Sequence, residues 1–197
     1  KVNWSEPEIE HKVKGVMAFS PDRETSIPFD GAGYMLNRQV LPQRQNERTL
    51  AMGVDFDFEI NLTGLLYDGN QVVGVQAIDY KTKTPYNKTA KVVIDATGMT
   101  SMLRNQISNT TKMERKVDRK DVESTGRHIM HFDQGEEDLT EFDENYCIIH
   151  LDQDIAPGGY GWVFPKGKNK VNIGLGVEKT LLDKRNQRLG KKDNVSM

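Results

Sequence analysis

Three aromatic residues, Tyr160, Trp162 and Phe164, alternate with Gly161 and Val163 in the run Tyr160-Gly161-Trp162-Val163-Phe164-Pro165-Lys166. If this run is a strand, all three rings leave one face as a flat apolar wall, and Gly161 and Val163 leave the other face lean. Such a wall can hold an apolar ligand or can simply be core. On spacing alone core is the better reading, because a fold needs the same surface. A second segment, Ala90-Lys91-Val92-Val93-Ile94, reads as a short apolar strand running straight into Asp95-Ala96-Thr97-Gly98. In α/β sheets ligands bind beyond the C-terminal ends of strands, and small residues let a ligand approach the backbone closely. The same four residues suit an ordinary strand-to-helix turn equally well. No Gly-x-Gly-x-x-Gly occurs in the chain, so the phosphate-cradling fingerprint of dinucleotide sites is not among its motifs.

The remaining reactive residue types read as structural. Cys147 lies in the apolar run Tyr146-Cys147-Ile148-Ile149 and reads as packing rather than a nucleophile. His128, His131 and His150 fall on strands with no carboxylate or cysteine at metal-ligand spacing. With a single cysteine and four histidines, neither a disulfide framework nor a structural zinc site is expected. No metal site is assigned.

The elements that must position these segments follow from periodicity. Val13 to Phe19 is strand-like, Ser20-Pro21-Asp22 breaks it, and Asp30-Gly31-Ala32-Gly33 reads as a flexible joint. A helix is expected from about Gln39 to Met52, with Pro42 in its first turn, Gly53 as its stop, and Arg44, Glu47 and Arg48 facing solvent. Val54 to Ile60 alternates apolar and acidic residues as a half-buried strand would. Leu62 to Tyr67 and Val72 to Tyr80 follow, joined by the hairpin signal Asp68-Gly69-Asn70. Later strands are expected at 126–132, 146–151, 161–164 and 171–177, and a charged helix from Leu181. The acidic run Glu136, Glu137, Asp138, Glu141, Asp143 and Glu144 reads as a solvated loop or exposed helix.

The 197 residues suit one domain or two small ones, and they are enough to bury a core. A net charge of −2 gives no basic footprint for nucleic acid. No apolar run approaches the ~18 residues of a membrane-spanning helix. The chain begins at Lys1 and reads as a processed or excised piece. Five Asn-x-Ser/Thr sites, at Asn3, Asn61, Asn87, Asn109 and Asn194, speak for an extracytoplasmic address. The cytoplasmic reading, with association to a membrane as an extension of it, is kept against them.

Taken together, these segments resemble the geranylgeranyl reductase family of FAD-dependent oxidoreductases, within the p-hydroxybenzoate hydroxylase-like fold. The specific match is Tyr160 to Lys166 followed by Gly174 and Gly176, which is similar to the family's aromatic signature Tyr/Phe-x-Trp-x-Phe-Pro with trailing glycines. Ile94-Asp95-Ala96-Thr97-Gly98, followed by Ser101 and Arg104, resembles the segment lying against FAD. Arg38, ahead of a helix that ends at Gly53, is similar to the arginine that contacts the flavin cofactor, and Leu62 falls where the family has a further FAD contact. The Gly-rich N-terminal element and the C-terminal Gly-Asp-Ala segment of the family have no counterpart in the sequence. Gln45 and Thr49 stand where the family's helix is apolar.

The resemblance implies an α/β (α+β) fold made of part of an FAD-binding domain and an antiparallel substrate-binding sheet. Residues 34–122 would be the FAD-binding part and 123–179 the substrate-binding sheet. Residues 1–33 would return to that sheet, and 180–197 would begin a helix. It also implies Arg38, Leu62, Ala96, Thr97 and Gly98 as cofactor-binding residues and Tyr160, Trp162 and Phe164 as the wall of an isoprenoid channel. No catalytic acid is assigned. The implied activity is reduction of isoprenoid carbon–carbon double bonds, with NAD(P)H or a ferredoxin-type protein as electron donor and peripheral contact with the membrane that holds the lipid. The isolated chain is expected to be inactive and to bind FAD weakly or not at all. Two other readings remain: a flavin monooxygenase or halogenase of the same fold, and a non-catalytic lipid- or protein-binding module.

Overall fold

The computed structural model describes residues 5–107, 113–133 and 142–190, and the chain divides into two compact units. One comprises the residues through Thr49 together with those from Arg119 onward, and the other is Leu50–Asp118. Most of the acidic run, and Asn3, Asn109 and Asn194, lie outside the described residues.

The first unit is built on a six-stranded sheet of β1 (Ile9–Phe19), β2 (Ser26–Leu36), β6 (Glu123–His131), β7 (Tyr146–His150), β8 (Gly161–Pro165) and β9 (Lys170–Glu178), in the order β2-β1-β7-β8-β9-β6. All neighbours are antiparallel except β1 and β7. The expected joint at Asp30 to Gly33 is instead strand. Once β1 offers a ladder, β2 runs through these glycines, pairing Asp30 with Gly15 and Gly33 with Val13. Backbone pairing outweighs the turn propensity of small residues here. The β8–β9 hairpin closes through Lys168 and Asn169, both with positive φ, as a tight turn matched to strand twist requires.

α1 (Val40–Ala51) begins where the sequence places it. The Asn37 side chain accepts from the Gln39 and Val40 amides at 3.0 and 3.2 Å, and Pro42 sits in the first turn. Gly53 follows with φ +85°. Glu47 and Arg48 are exposed as expected and Arg44 is half-exposed; Arg48 and Arg44 also reach back to the fully buried carboxylate of Glu8 at 3.1 and 3.8 Å. α2 (Lys179–Arg188) is capped by Glu178, whose carboxylate accepts from the Thr180 and Leu181 amides.

The second unit carries β3 (Ile60–Asp68), β4 (Gln71–Asp79) and β5 (Pro85–Thr89) as an antiparallel meander, with the β3–β4 turn at Gly69 as expected. Two strand expectations are corrected. Residues 54–59 alternate like a strand but are irregular, although Phe56 still stacks on Phe58 at 5.8 Å. Residues 90–94 are also not strand: Val92 and Ile94 are 74% and 85% exposed, and β4's partner is the polar segment 85–89. An apolar alternation becomes a strand only where a neighbouring edge takes its backbone groups.

Candidate functional site

The aromatic stripe forms as the alternation requires. Tyr160 meets Trp162 edge-on at 6.0 Å, and Trp162 stacks with Phe164 at 5.9 Å. Trp162 pairs with Gly174 across β8 and β9, and its indole lies where any Cβ of Gly174 would stand. The indole N–H donates to Asn172 Oδ1 at 3.3 Å. The trailing glycine therefore makes room for the ring, and the wall lies flat on a bare backbone.

The register shows what else shares that face. Ile149 stands beside Trp162, Val16 and Ala18 follow on β1, Phe29 and Ile27 on β2, and Ile129 on β6. Several of these residues are exposed among the described residues. Tyr160 is 41% exposed, Ile27 53%, Phe29 59% and Ile129 44%. Arg127 and Asn172 share the face by the same register, so its exposed apolar residues stand among polar ones.

The opposite face carries a cavity of about 480 Å³ bordered by His128, His150, Val163, Ile173 and Leu175. Trp162 contributes to its lining; Tyr160 and Phe164 do not. His150 stacks on Phe19 at 5.3 Å and so has a packing role. Cys147 lies half-buried with its sulfur 3.6 Å from that of Met35, and burial pushes the thiol up, away from nucleophile chemistry.

In the second unit the Asp95-Ala96-Thr97-Gly98 segment is a turn fixed by one carboxylate. Asp95 Oδ1 accepts from the Thr97 amide at 2.9 Å and hydroxyl at 2.7 Å, and Oδ2 accepts from the Ser101 hydroxyl. Those hydrogen bonds, Ser101's first, hold the Asp95 carboxyl down at about 2. Ser101 Oγ in turn accepts from the Leu103 and Arg104 amides. Gly98 follows with φ +92° and open space where a side chain would stand. A cavity of about 280 Å³ brings together Leu62 and Thr97, with Thr100 and Ser101 between them. Gln106, which the sequence reading passed over, ties this corner to β3. Its amide accepts from the Leu65 N–H at 3.2 Å and donates to the Thr63 carbonyl at 3.2 Å, beside the β-bulge at Leu62–Gly64. β3 is the edge strand of its sheet, so these backbone groups are open to Gln106, and no periodicity marks that.

Arg38 belongs to the first unit, exposed between the Asn37 cap and α1, with no ion pair among the described residues. Among the described residues no cluster of His, Cys, Asp or Glu could hold a metal. No helix among them is long and apolar enough to cross a membrane.

Known proteins resemble this chain in sequence and in fold. A family model described as geranylgeranyl reductase catalytic domain matches residues 121–192, which include β8, β9 and the aromatic stripe. The chain is 33% identical over 172 residues to digeranylgeranylglycerophospholipid reductase of Sulfolobus acidocaldarius, covering 87% of this chain and 37% of that protein. It thus spans about two fifths of the length of the curated relatives it matches. A geranylgeranyl bacteriochlorophyll reductase-like protein of Thermoplasma acidophilum superposes with a TM-score of 0.75 at 22% identity, over 95% of this chain and 47% of that one. A myxobacterial chondrochloren halogenase, a variant of the FAD-dependent halogenases, gives 0.68 at 15% identity, over 93% and 42%. These two structures share the fold.

Proposed function

We propose, from the premise that this chain belongs to the geranylgeranyl reductase family with its p-hydroxybenzoate hydroxylase-like fold, that it supplies the substrate wall and part of the FAD site of an oxidoreductase saturating isoprenoid double bonds of lipids. The observation that carries this reading is the exposed aromatic face: Trp162 edge-on to Tyr160 and stacked on Phe164, on the bare backbone at Gly174, with Tyr160 41% exposed. An isoprenoid chain has no polar handle, so it must be recognised by shape and apolar contact, and a flat aromatic wall provides both.

The residues present fit an FAD. The Ala96-Thr97-Gly98 turn is side-chain-poor, open at Gly98 and bordered by a cavity that Leu62 shares. In this reading Ala96, Thr97, Gly98 and Leu62 hold the cofactor by close backbone and apolar approach. Arg38 places a cation against its pyrophosphate or ribityl oxygens. A reduced flavin held there would supply hydride for one alkene carbon, a proton from solvent or from an acid outside these residues completing the other. An unactivated alkene develops little charge for polar groups to stabilise, so the chain's own contribution is positioning and exclusion of water by Tyr160, Trp162 and Phe164. Residues 34–122 are assigned to the FAD-binding part, 1–33 and 123–179 to the substrate-binding sheet, and 180–197 to the segment that starts with α2. The reductant is of the NAD(P)H or ferredoxin class, and the protein works from the cytoplasm in peripheral contact with the membrane that holds the lipid.

The test is product chemistry. Full-length protein loaded with FAD and given a reductant without oxygen should add two hydrogens per double bond of a geranylgeranyl lipid. Oxygen consumption with insertion of oxygen or halogen into an aromatic substrate would instead identify the monooxygenase or halogenase alternative. A full-length protein that binds the lipid but never flavin would leave only the binding-module reading.

A further inference from the structure

The aromatic signature ends in Lys166, a residue for which wall and cofactor site as described have no use. Its side chain is only 10% exposed, and its ammonium forms an ion pair with Glu10, whose side chain is 15% exposed. The same ammonium donates to the Leu36 carbonyl at 3.4 Å. Glu10 takes a second cation, Lys170, at 3.0 Å. The two lysines stand at either end of the β8–β9 turn, so one carboxylate grips the base of the hairpin that carries the aromatic wall.

Glu10 reaches that point because β1 shifts register between Ile9 and His11, which sit opposite Leu36 and Met35. Such an extra residue leaves the ladder and re-aims its side chain. Burial alone would push the Glu10 carboxyl up; the hydrogen bonds and charges of Lys166 and Lys170 outweigh it, so the group stays ionised. Leu36 is the last residue of β2, two before Arg38. The Glu8 carbonyl accepts from the Asn37 amide at 2.7 Å, and the Glu8 carboxylate anchors α1 through Arg48 and Arg44. Residues 8 to 10 thus fasten both the strand end that launches Arg38 and the hairpin that carries Trp162.

We infer that Lys166 is a positioning residue: by joining Glu10 and the Leu36 carbonyl it fixes the aromatic wall of β8 relative to Arg38. The inference rests on the reading of Arg38 as a cofactor contact and of the stripe as the substrate wall. A buried ion pair that served stability alone would show in melting temperature and nowhere else. A positioning role shows in the geometry of the parts it joins, where displacement by about 1 Å costs on the order of 10²-fold in turnover.

The experiment uses full-length protein carrying Trp4→Phe, so that Trp162 reports emission from within this chain. Lys166→Met, Lys166→Arg and Lys170→Met are compared with it for Trp162 emission, FAD Kd, flavin spectrum, kcat and melting temperature. Lys166→Met should shift the emission, weaken FAD binding and lower kcat on the order of 10²-fold, and Lys166→Arg should restore most of each. Lys170→Met, which leaves the Leu36 contact in place, should move melting temperature alone. Equal loss of melting temperature in both Met variants, with emission, FAD Kd and kcat unchanged, would overturn the inference. Should Lys166→Met not fold, Glu10→Asp retracts the carboxylate with its charge intact and should shift emission and FAD Kd; unchanged values would overturn it as well. A parent protein that never binds flavin would sink the functional reading instead, and Trp162 emission would still decide whether Lys166 sets the wall.

Discussion

The six-stranded sheet and the β3–β4–β5 unit each hold a short candidate segment still, and they do it by different physics. In the sheet, Trp162 and its neighbours are fixed by ladder pairing on both sides, and the strand ends are fastened by buried charge, Glu8 to α1 and Glu10 to the hairpin. In the smaller unit, Asp95 to Gly98 has no ladder at all. One exposed carboxylate folds the turn through Thr97 and Ser101, while Val92 and Ile94 just before it are 74% and 85% exposed. On the proposed function, the surface that would meet a long apolar chain is held by ladders on both sides. The backbone that would lie against a cofactor is set locally and left open. The first kind of site should fail when charge or volume beneath it changes, and the second when one side chain loses its hydrogen bonds.

The largest expected effect lies in the sheet. Replacing both Arg44 and Arg48 with Ala strands the Glu8 carboxylate, which has no exposed surface. The loss expected is ~2–3 kcal/mol, since the buried carboxylate keeps the Ser5 amide as a donor and both guanidiniums are partly solvated. Urea unfolding of the full-length protein measures it. A loss below about 1 kcal/mol would mean that water reaches Glu8 and that the sheet is not fastened by charge.

Gly174→Ala is the next step down. Its new Cβ meets both the Trp162 ring and the Gly126 carbonyl of the neighbouring strand. Overpacking of this kind costs ~1–3 kcal/mol, and the ring, being the movable partner, should shift its emission. Gly98→Ala, by contrast, meets open space but a φ of +92°, so it should leave Trp162 emission alone while weakening FAD binding. Identical behaviour of the two variants would erase the distinction between the regions.

The smallest effect is acid sensitivity of the turn. The hydrogen bonds from Ser101 and Thr97 depress the Asp95 carboxyl from 3.8 to about 2. A depressed carboxyl favours the folded turn above its ordinary pKa and loses that contribution as pH falls from about 4 to about 2. Asp95→Asn should therefore match wild type at the bottom of that range and differ above it, read by hydrogen exchange of the Thr97 amide. A difference independent of pH would show that charge on Asp95 is irrelevant to the turn.

How far this was legible in the sequence depended on what each residue answers to. The stripe Tyr160, Trp162, Phe164 and the Asn37-to-Gly53 helix answer to local periodicity and capping, and both were readable. Residues 30–33 and 90–94 answer to a neighbouring edge. Glycines became strand where β1 offered a ladder, and an apolar run stayed irregular where no strand stood beside it. Arg44, Arg48, Lys166 and Gln106 answer to partners more than thirty residues away, brought close by bulges or by pairing, and no spacing rule marks them.

The claim most exposed to test is that the aromatic stripe is a substrate wall and not core. In full-length protein, Trp162→Ala should lower turnover of a geranylgeranyl lipid while FAD content and melting temperature stay near wild type. Arg38→Ala, on the same measurements, should lower FAD content. If the stripe is core, Trp162→Ala should instead cost ~3–5 kcal/mol of stability, with activity lost in step with unfolding. Melting temperature, flavin content and turnover from one preparation separate the two outcomes, and a stability loss of that size with unchanged turnover per folded molecule would contradict the account.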